Sequence, residues 1–149
     1  MIVRTMTIDD YEGLYDLWMK IEGFGIRSID DSIEGIERFL KRNPTTSVVA
    51  VEDGGRIIGS ILCGHDGRTG YFYHVCVASD YRMHGIGKTM ANFCVEALKK
   101  EKINKVSLIA FTKNTVGNTF WKDIGWSDRE DVNYYDFSLN SENVTVFNA

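Results

Sequence analysis

The stretch VASDYRMHGIGKTMANFCVEAL, residues 77–98, connects the end of an apolar strand pattern to a long amphipathic helix pattern. The connecting segment contains one arginine, Arg82, and two glycines, Gly85 and Gly87. The first turn of a helix has amide N–H groups without partners in the helix and carries partial positive charge, and glycine lets a ligand approach the backbone closely. We therefore expect this loop to bind an anionic group such as a phosphate.

The length and composition of the chain favour one globular domain. It has 149 residues, of which 44% are apolar and 26% charged, and no apolar run approaches the length of a membrane span. The formal charge of −4 disfavours a nucleic-acid-binding protein, and the N-terminal residues lack the pattern of a signal peptide. We predict a single domain over residues 1–149 of a soluble, cytoplasmic protein that does not bind membranes and has a small-molecule or peptide partner.

The three cysteines, Cys63, Cys76 and Cys94, lie in apolar contexts and lack CxxC spacing. Their number is odd, which argues against a disulfide framework. We therefore expect reduced core residues with no metal-binding role.

The rest of the chain alternates between strand and helix patterns. Strand patterns occupy residues 2–7, 46–52, 56–64, 71–78, 105–111 and 132–139. The pairs Thr7/Asp10 and Asp31/Glu34 have the spacing of a helix capping box, and the second of these helices should end near Asn43, before the single proline. The order β-α-α-β-β-β-α-β-α-β predicts an α/β fold, with a mixed, mostly antiparallel sheet of about six to seven strands and helices on both faces.

Two motifs resemble those of a known family. Residues 82–87, RMHGIG, have the form Arg/Gln-x-x-Gly-x-Gly/Ala after a valine-rich strand. A second signature, an Asn that opens a helix ending in aromatic residues, is matched by Asn114, Gly117, Phe120, Trp121, Gly125 and Trp126. With the element order, these motifs resemble the GNAT superfamily of acyl-CoA-dependent N-acyltransferases over nearly the whole chain, and residues 64–82 resemble one of its bacterial branches.

The resemblance implies an N-acetyltransferase with acetyl-CoA as co-substrate, which a primary amine attacks directly in a ternary complex, on a sheet with splayed central strands. The amides of residues 83–88 would hold the CoA pyrophosphate, with Arg82 closing the loop. A β-bulge at residues 75–77 would direct the N–H of Val77 or Cys76 at the thioester carbonyl, and Asn114 would reach the pantetheine arm. The implied cofactor-binding residues are Val75, Cys76, Val77, Arg82, Met83, His84, Gly85, Ile86, Gly87, Lys88, Thr89, Asn114, Gly117, Phe120 and Trp121. The aromatic pair could instead be plain core packing.

One position departs from the family pattern. Members usually carry at Trp121 a tyrosine that protonates the departing thiolate, and indole cannot serve as that acid. Period-2 alternation along YFYHVCV predicts one face with Tyr71, Tyr73, Val75 and Val77 and another with Phe72, His74 and Cys76. We expect Tyr73 to act as thiolate acid or to position the amine. His74 is the next candidate for proton transfer, because the ordinary pKa of histidine suits proton transfer near neutral pH. Alternatively, His74 is a structural histidine beneath a helix, with its hydrogen bonds satisfied.

Residues in two loops are candidates for contact with the acceptor. Arg27 and Asp31, between the first two helices, would lie where the resemblance places the acceptor, and Arg27 hints at an acceptor carboxylate. His65 and Asp66 could form an acid/base pair, although an Asx-type turn explains Asp66 equally well. No third ligand stands at a spacing that would complete a metal site.

The sequence leaves the acyl donor, the presence of catalysis and the oligomeric state open. The donor could be a longer acyl-CoA, or the protein could be a catalytically silent acyl-CoA sensor or interaction module. Residues 132–139, VNYYDFSL, could form an edge strand that supports a homodimer. The identity of the amine acceptor depends on loops that no motif describes.

Overall fold

The computed structural model describes residues 1–149, which form seven strands and four helices. The strands are β1 (Ile2–Thr5), β2 (Gly25–Arg27), β3 (Val48–Val51), β4 (Ile57–His65), β5 (Gly70–Val77), β6 (Val106–Ser107) and β7 (Thr145–Phe147). The helices are α1 (Tyr11–Met19), α2 (Ile33–Arg42), α3 (Ile86–Lys100) and α4 (Thr115–Asp123), with short 3₁₀ turns at Ile8–Asp10 and Ser79–Tyr81. None of the helices combines the length and the apolar character that a membrane crossing needs.

Five strands form the central sheet in the order β1-β3-β4-β5-β6. The pairs are antiparallel except β5–β6, which is parallel and joins only Gly70 to Val106 and Tyr71 to Ser107. Beyond Tyr71, β5 therefore has one edge without a neighbouring strand. The predicted mixed, mostly antiparallel sheet with splayed strands is confirmed. Its size is smaller than the six to seven strands expected, because β2 and β7 pair in a separate two-stranded sheet.

Contacts along β4 show which helices cover which face. Ser60 accepts a hydrogen bond from the indole of Trp18 in α1, and a Cβ on Gly64 would lie 2.9 Å from the ring of Phe39 in α2. A Cβ on Gly59 would instead lie 2.8 Å from Met90 in α3. Because side chains alternate along a strand, α1 and α2 cover one face and α3 the other. We call the first the α1–α2 face. Helices on both faces are thus confirmed.

A capping box at the start of the first helical segment is also confirmed. The Thr7 N–H donates to Asp10 Oδ2 at 2.9 Å, and Arg4 donates to both oxygens of the same carboxylate at 2.9 and 2.8 Å. Burial alone would raise the pKa of Asp10, but the hydrogen bonds from Arg4 and Thr7 outweigh it and lower that pKa. This buried carboxylate fixes the end of β1 against the start of α1.

The predicted cap of α2 is wrong by one residue. Ser32, not Asp31, is the N-cap, and its Oγ accepts from the N–H of Gly35 at 3.1 Å. Asp31 is buried at 4% exposure and accepts from the N–H of Arg27 at 2.7 Å. A carboxylate already held from the preceding strand is not free to cap the helix. The predicted end near Asn43 is confirmed, since α2 ends at Arg42 with Asn43 as C-cap.

The last strand lies elsewhere than the sequence predicts. Residues 132–139 form no strand, and β6 covers two residues instead of the seven expected at 105–111. Instead, β7 pairs antiparallel with β2, from Gly25 opposite Phe147 to Arg27 opposite Thr145. A strand needs a partner for its backbone groups, and the short β6 offers too little edge for residues 132–139. The edge strand on which the homodimer hypothesis depended is therefore not formed.

The cysteines fit the core as expected. Cys63, Cys76 and Cys94 are free and buried. Burial raises the pKa of the Cys76 thiol to about 12, so this thiol stays protonated at neutral pH. The prediction of reduced core cysteines is confirmed.

Candidate active site

The loop between β5 and α3 has an unusual backbone. Met83 and Gly85 adopt left-handed conformations with φ of 68° and 77°. Gly85 is the N-cap of α3, and a Cβ added there would meet nothing within 4 Å. Left-handed residues that alternate with residues of negative φ can turn successive N–H groups toward one side, which creates a concave site for an anion. The loop is exposed, whereas Ile86 anchors it in the core at 3% exposure.

The amides of this loop have no partners within the protein. Hydrogen bonding resumes at Thr89, whose N–H and hydroxyl both donate to the Gly85 carbonyl, at 3.1 and 3.0 Å. The N–H groups of residues 83–88 donate to no carbonyl or side chain. They stand at the positive end of the 15-residue helix α3, with Lys88 exposed beside them. These six amides can therefore hold an anionic ligand.

Arg82 joins the loop to the end of the strand. Its Nε donates to the Val77 carbonyl at 3.2 Å, which leaves the terminal guanidinium nitrogens exposed. This contact closes the loop, as the resemblance implies for Arg82.

A β-bulge lies immediately upstream, in the middle of β5. Tyr73 pairs with Leu62 and Cys76 pairs with Ser60, so two residues of β5, His74 and Val75, lie opposite one residue of β4. His74 has a φ of 51°, a left-handed value that is uncommon outside glycine. The bulge is present within β5, one residue upstream of the segment that the resemblance indicates.

The bulge decides which amides face the open edge of β5. The N–H of Ala78 donates to the Ile58 carbonyl of β4 at 2.7 Å, and Cys76 pairs with Ser60 on the same side. Strand alternation then directs the N–H groups of Val75 and Val77 away from β4, toward the open edge. Of the two donors that the sequence offers, Val77 is on this edge. Cys76 is on the other, with its sulfur 3.5 Å from Ser60 Oγ.

The bulge also overturns the predicted distribution of side chains. Tyr73 packs edge-on against Phe39 of α2, with ring centroids 6.1 Å apart, and so lies on the α1–α2 face. His74 packs between Trp18 and Phe24, at 4.8 and 4.7 Å, on that same face. Simple alternation placed them on opposite faces. The extra residue breaks the period of two, because a left-handed residue rotates the chain. The structure thus brings the two catalytic candidates together.

Tyr73 is a half-exposed phenol in a partly apolar setting, at 48% exposure. Burial raises its pKa, the phenols of Tyr71 and Tyr134 and the Asp30 carboxylate raise it further, and Arg27 opposes them. Tyr73 therefore keeps its proton at neutral pH and can donate it.

His74 has one satisfied nitrogen. Its Nε2 lies 2.7 Å from Asp31 Oδ1, and the two side chains are 17% and 4% exposed. Its Nδ1 has no hydrogen-bond partner in the protein. Every buried side-chain nitrogen and oxygen in the structure does have such a partner. Nδ1 is therefore not buried and is accessible to solvent. The interpretation of His74 as a fully hydrogen-bonded histidine therefore holds for one nitrogen and not for the other.

Helix α4 covers the start of α3. A Cβ on Gly87 would lie 3.2 Å from the ring of Phe120, so this aromatic residue borders the loop. Trp121 instead packs in an aromatic cluster, 6.0 Å from Phe72 and 4.7 Å from Trp126. Trp121 thus has the core-packing role that the sequence left open.

Asn114 caps α4, since its Oδ1 accepts from the N–H of Gly117 at 3.0 Å. A Cβ on Gly117 would meet the Asn114 side chain at 2.5 Å, so this position favours glycine. The Asn114 oxygen is therefore already engaged within α4.

The two acceptor candidates lie on different segments and have different local partners. Arg27 belongs to β2 beside the α1–α2 face, and its exposed guanidinium lies 3.7 Å from Asp30. Asp66 lies in the β4–β5 turn, where its Oδ1 accepts from the N–H groups of Arg68 and Thr69 at 2.8 and 2.9 Å. The Asx-turn interpretation is thus confirmed. That turn precedes β5, whereas the loop of residues 82–87 follows it, so Asp66 stands at the opposite end of β5 from that loop.

The sequence missed the partners of His74. The sequence placed Asp31 at a helix cap and in the segment expected to admit the acceptor, but not beside His74. The packing of Trp18 and Phe24 on His74 had no local signal. Asp31, Trp18 and Phe24 are 43, 56 and 50 residues from His74 in the chain. A short sequence motif cannot predict contacts between residues so far apart. The described residues contain no cluster of three or more potential metal ligands.

Comparison with known proteins agrees with this geometry. A model of the acetyltransferase (GNAT) family matches residues 11–126, most of the chain. The chain belongs to this GNAT family. An acetyltransferase of Sodalis glossinidius is 36% identical to this GNAT protein over 103 residues, which cover 69% of this chain and 68% of the relative. An acetyltransferase of Pectobacterium atrosepticum is 35% identical with the same coverage.

The fold of this GNAT protein is shared with the PaiA N-acetyltransferase of Thermoplasma acidophilum, which was solved in complex with coenzyme A. The TM-score is 0.71 at 19% identity, over 85% of this chain and 89% of that one. The family and the relatives make this GNAT protein an acyl-CoA-dependent acetyltransferase with acetyl-CoA as its co-substrate, as the sequence predicts. A catalytically silent sensor is not favoured, because the relatives are acetyltransferases by name.

Proposed function

We propose that this acetyltransferase holds acetyl-CoA along the loop and the open edge of β5, and acetylates a primary amine that enters from the α1–α2 face. The observation that carries the proposal is the row of unpaired amides at residues 83–88, continuous with the unpaired edge of β5. One ligand with an anionic end and an extended arm could hydrogen-bond to the loop amides and to the open edge of β5 at the same time. Acetyl-CoA has a pyrophosphate and a pantetheine arm in that order.

The pyrophosphate would lie on the amides of residues 83–88. Arg82 and Lys88 supply positive charge there, and Phe120 borders the start of α3 where it meets the loop. Backbone amides at a helix N-terminus bind phosphate through charge-assisted hydrogen bonds, which are stronger than those between neutral groups.

The pantetheine arm would add to β5 as an extra strand. Alternation from Ala78, whose N–H pairs with β4, directs the N–H of Val77 toward the open edge. We expect the N–H of Val75, in the bulge, to face that edge as well, at a spacing suited to an extended chain. The arm ends near the bulge, so one of these N–H groups would donate to the thioester carbonyl. This placement keeps Val77 as oxyanion donor and adds Val75 as the alternative.

The chemistry requires one base, one oxyanion donor and one acid. The neutral amine attacks the thioester carbon, and the negative oxygen that forms accepts from the backbone N–H. Collapse of the tetrahedral intermediate breaks the C–S bond, and the departing thiolate takes the proton of Tyr73. The attacking nitrogen loses its second proton as the amide forms, and that proton returns Tyr73 to its neutral form through solvent. His74 would receive, through water, the proton that the ammonium form of the acceptor loses before attack.

The acceptor class is a small molecule or peptide with a primary amine. Arg27 remains a candidate for an acceptor carboxylate, although its neighbour Asp30 already offsets part of its charge. If Arg27→Ala leaves the KM unchanged for every amine that is acetylated, this role is refuted.

Calorimetric titration tests the cofactor site first. Acetyl-CoA should bind with micromolar affinity, about −8 kcal/mol, and acetyl-pantetheine, which lacks the pyrophosphate, should bind far more weakly. Equal affinity for the two ligands would refute the pyrophosphate site.

A matched pair of tyrosine variants tests the acid. Tyr73→Phe should lower kcat by about 100-fold or more if the phenol donates to the thiolate, with the KM for acetyl-CoA unchanged. Tyr71→Phe is the control, because Tyr71 is on the same strand and face with its ring 6.4 Å from Tyr73. Equal kcat values for the two variants would exclude Tyr73 as the acid.

A further inference from the structure

A buried carboxylate and a histidine form a pair beside the bulge, and no motif assigns them a joint role. Asp31 precedes α2, and His74 occupies the left-handed position of β5. Their side chains meet at 2.7 Å, with Asp31 at 4% exposure. A buried carboxylate is retained only where its oxygens are hydrogen-bonded, and here the second oxygen accepts from the N–H of Arg27.

The pair fixes which nitrogen of His74 carries the proton. A carboxylate only accepts hydrogen bonds, so the nitrogen that faces Asp31, Nε2, must be the donor. In the neutral ring, Nδ1 then carries the free lone pair. This nitrogen has no protein partner and reaches solvent.

The surroundings hold the ring in that orientation. Trp18 and Phe24 pack on the imidazole with centroids at 4.8 and 4.7 Å. Ser60 donates to the His74 carbonyl at 2.9 Å and accepts from the Trp18 indole at 3.0 Å, which fixes the strained backbone of the bulge. Strained backbone of this kind persists only where surrounding contacts determine it.

We propose that Asp31 is a positioning residue, which holds His74 in the tautomer with its proton on Nε2. Nδ1, on the acceptor side of the bulge, then accepts the proton of the incoming ammonium through a water molecule. The inference rests on the proposed acetyl transfer and adds Asp31 to it. The ammonium gives one proton to water as that water gives one to Nδ1. Asp31 stays a carboxylate and stabilises the imidazolium. His74 later releases its proton to solvent, and no other reactant is needed.

Chemical rescue provides the main test. His74→Gly relieves the strain at a φ of 51° and leaves a ring-sized space between the two aromatic side chains. We expect kcat to fall about 100-fold and added imidazole to restore it at least tenfold. A purely structural histidine would not show this recovery. Failure of imidazole to raise kcat in a folded His74→Gly protein would overturn the proposal.

Two carboxylate variants separate Asp31 from its neighbour. Asp31→Asn should lower kcat at least tenfold with the KM for acetyl-CoA unchanged, and should weaken imidazole rescue in the double variant with His74→Gly. Asp30→Asn is the matched control. Asp30 is one residue away and exposed, and it bonds to Asn143 at 2.9 Å rather than to His74. Equal kcat values for the two Asn variants would overturn the role of Asp31.

A spectroscopic measurement does not depend on turnover or on a variant that folds. Nitrogen-15 NMR of the wild-type protein should show the His74 ring with its proton on Nε2, and a proton on Nδ1 in the neutral ring would overturn the proposal. Turnover is measured as CoA release with tyramine, spermidine and a tetrapeptide with a free N-terminus. If the wild-type protein releases no CoA with any of these amines, the proposed function fails for them, whereas the tautomer result still tests the Asp31–His74 pair.

Discussion

Replacing Gly85 by alanine separates the backbone requirement of the loop from its role in binding CoA. Gly85 has a φ of 77°, and a Cβ there would enter open space rather than meet protein atoms within 4 Å. The cost to the free protein is therefore backbone strain alone. We expect a phosphate bound to the amides of residues 83–88 to occupy this open space.

The expected magnitudes follow from these two effects. A left-handed alanine costs about 1–2 kcal/mol, which corresponds to a Tm lower by roughly 2–8 °C for a chain of this size. In the complex, the added methyl group keeps the pyrophosphate from the amides. Loss of one charge-assisted hydrogen bond, about 1.5–3 kcal/mol, raises the Kd for CoA by roughly 10- to 150-fold.

The assay is calorimetric titration with CoA, together with thermal unfolding, on Gly85→Ala and a matched control. Gly55 has a φ of 92° in the β3–β4 turn, and a Cβ there would also meet nothing within 4 Å. Gly55→Ala should lower the Tm by a similar amount and leave the Kd for CoA unchanged. If both variants bind CoA as the wild type does, the loop is not the pyrophosphate site and the reasoning from unpaired amides is refuted.

Three further predictions concern groups in the core. Asp10→Asn should cost about 1–2 kcal/mol at neutral pH. Because the folded-state pKa of Asp10 is lowered, its contribution is complete above the ordinary value of 3.8 and is lost as the pH falls toward the lowered value, so the Tm difference from wild type should vanish in acid. Ser60→Ala should cost about 1–3 kcal/mol by leaving the buried Trp18 N–H without an acceptor, as measured by denaturant unfolding; a neutral result would contradict the hydrogen bond. With the pKa of Cys76 at about 12, neither it nor the two other buried cysteines should react with a thiol reagent at pH near 8 until the protein unfolds, and rapid labelling of the native protein would contradict this burial.

The features predicted correctly from the sequence are mostly local ones. Glycine spacing and the start of an amphipathic helix identify the loop, because the left-handed turn at Gly85 is encoded by the residues that form it. The strand meander from β3 to β5 was also visible, since its turns at residues 53–55 and 66–69 are short and rich in Gly and Asp.

The features that were missed depend on distant partners. The three-residue pairing of β2 with β7 joins Gly25 to Phe147, and neither segment is long enough to show a strand pattern alone. Asp31 has the sequence context of a helix cap, but its carboxylate is directed to His74, which is 43 residues away. The bulge was expected from the family resemblance alone, because every residue in YFYHVCV suits a regular strand. Its consequence for the faces of Tyr73 and His74 was missed.

The bulge in β5 constrains how this enzyme can change during evolution. Deleting one residue at His74 or Val75 would restore regular pairing with β4, turn the N–H of the preceding residue around, and move Tyr73 relative to the helix-covered face. Substitutions there keep the number of residues in β5 and so do not shift its register with β4. The length of β5 is thus the requirement of the proposed acyl-donor site. On the face toward α1 and α2, Tyr73 and His74 have proposed catalytic roles, whereas the other side chains of that face are free to diverge. Acceptor preference can therefore diversify by point substitution without disturbing acetyl-CoA recognition, provided that no insertion or deletion enters this strand.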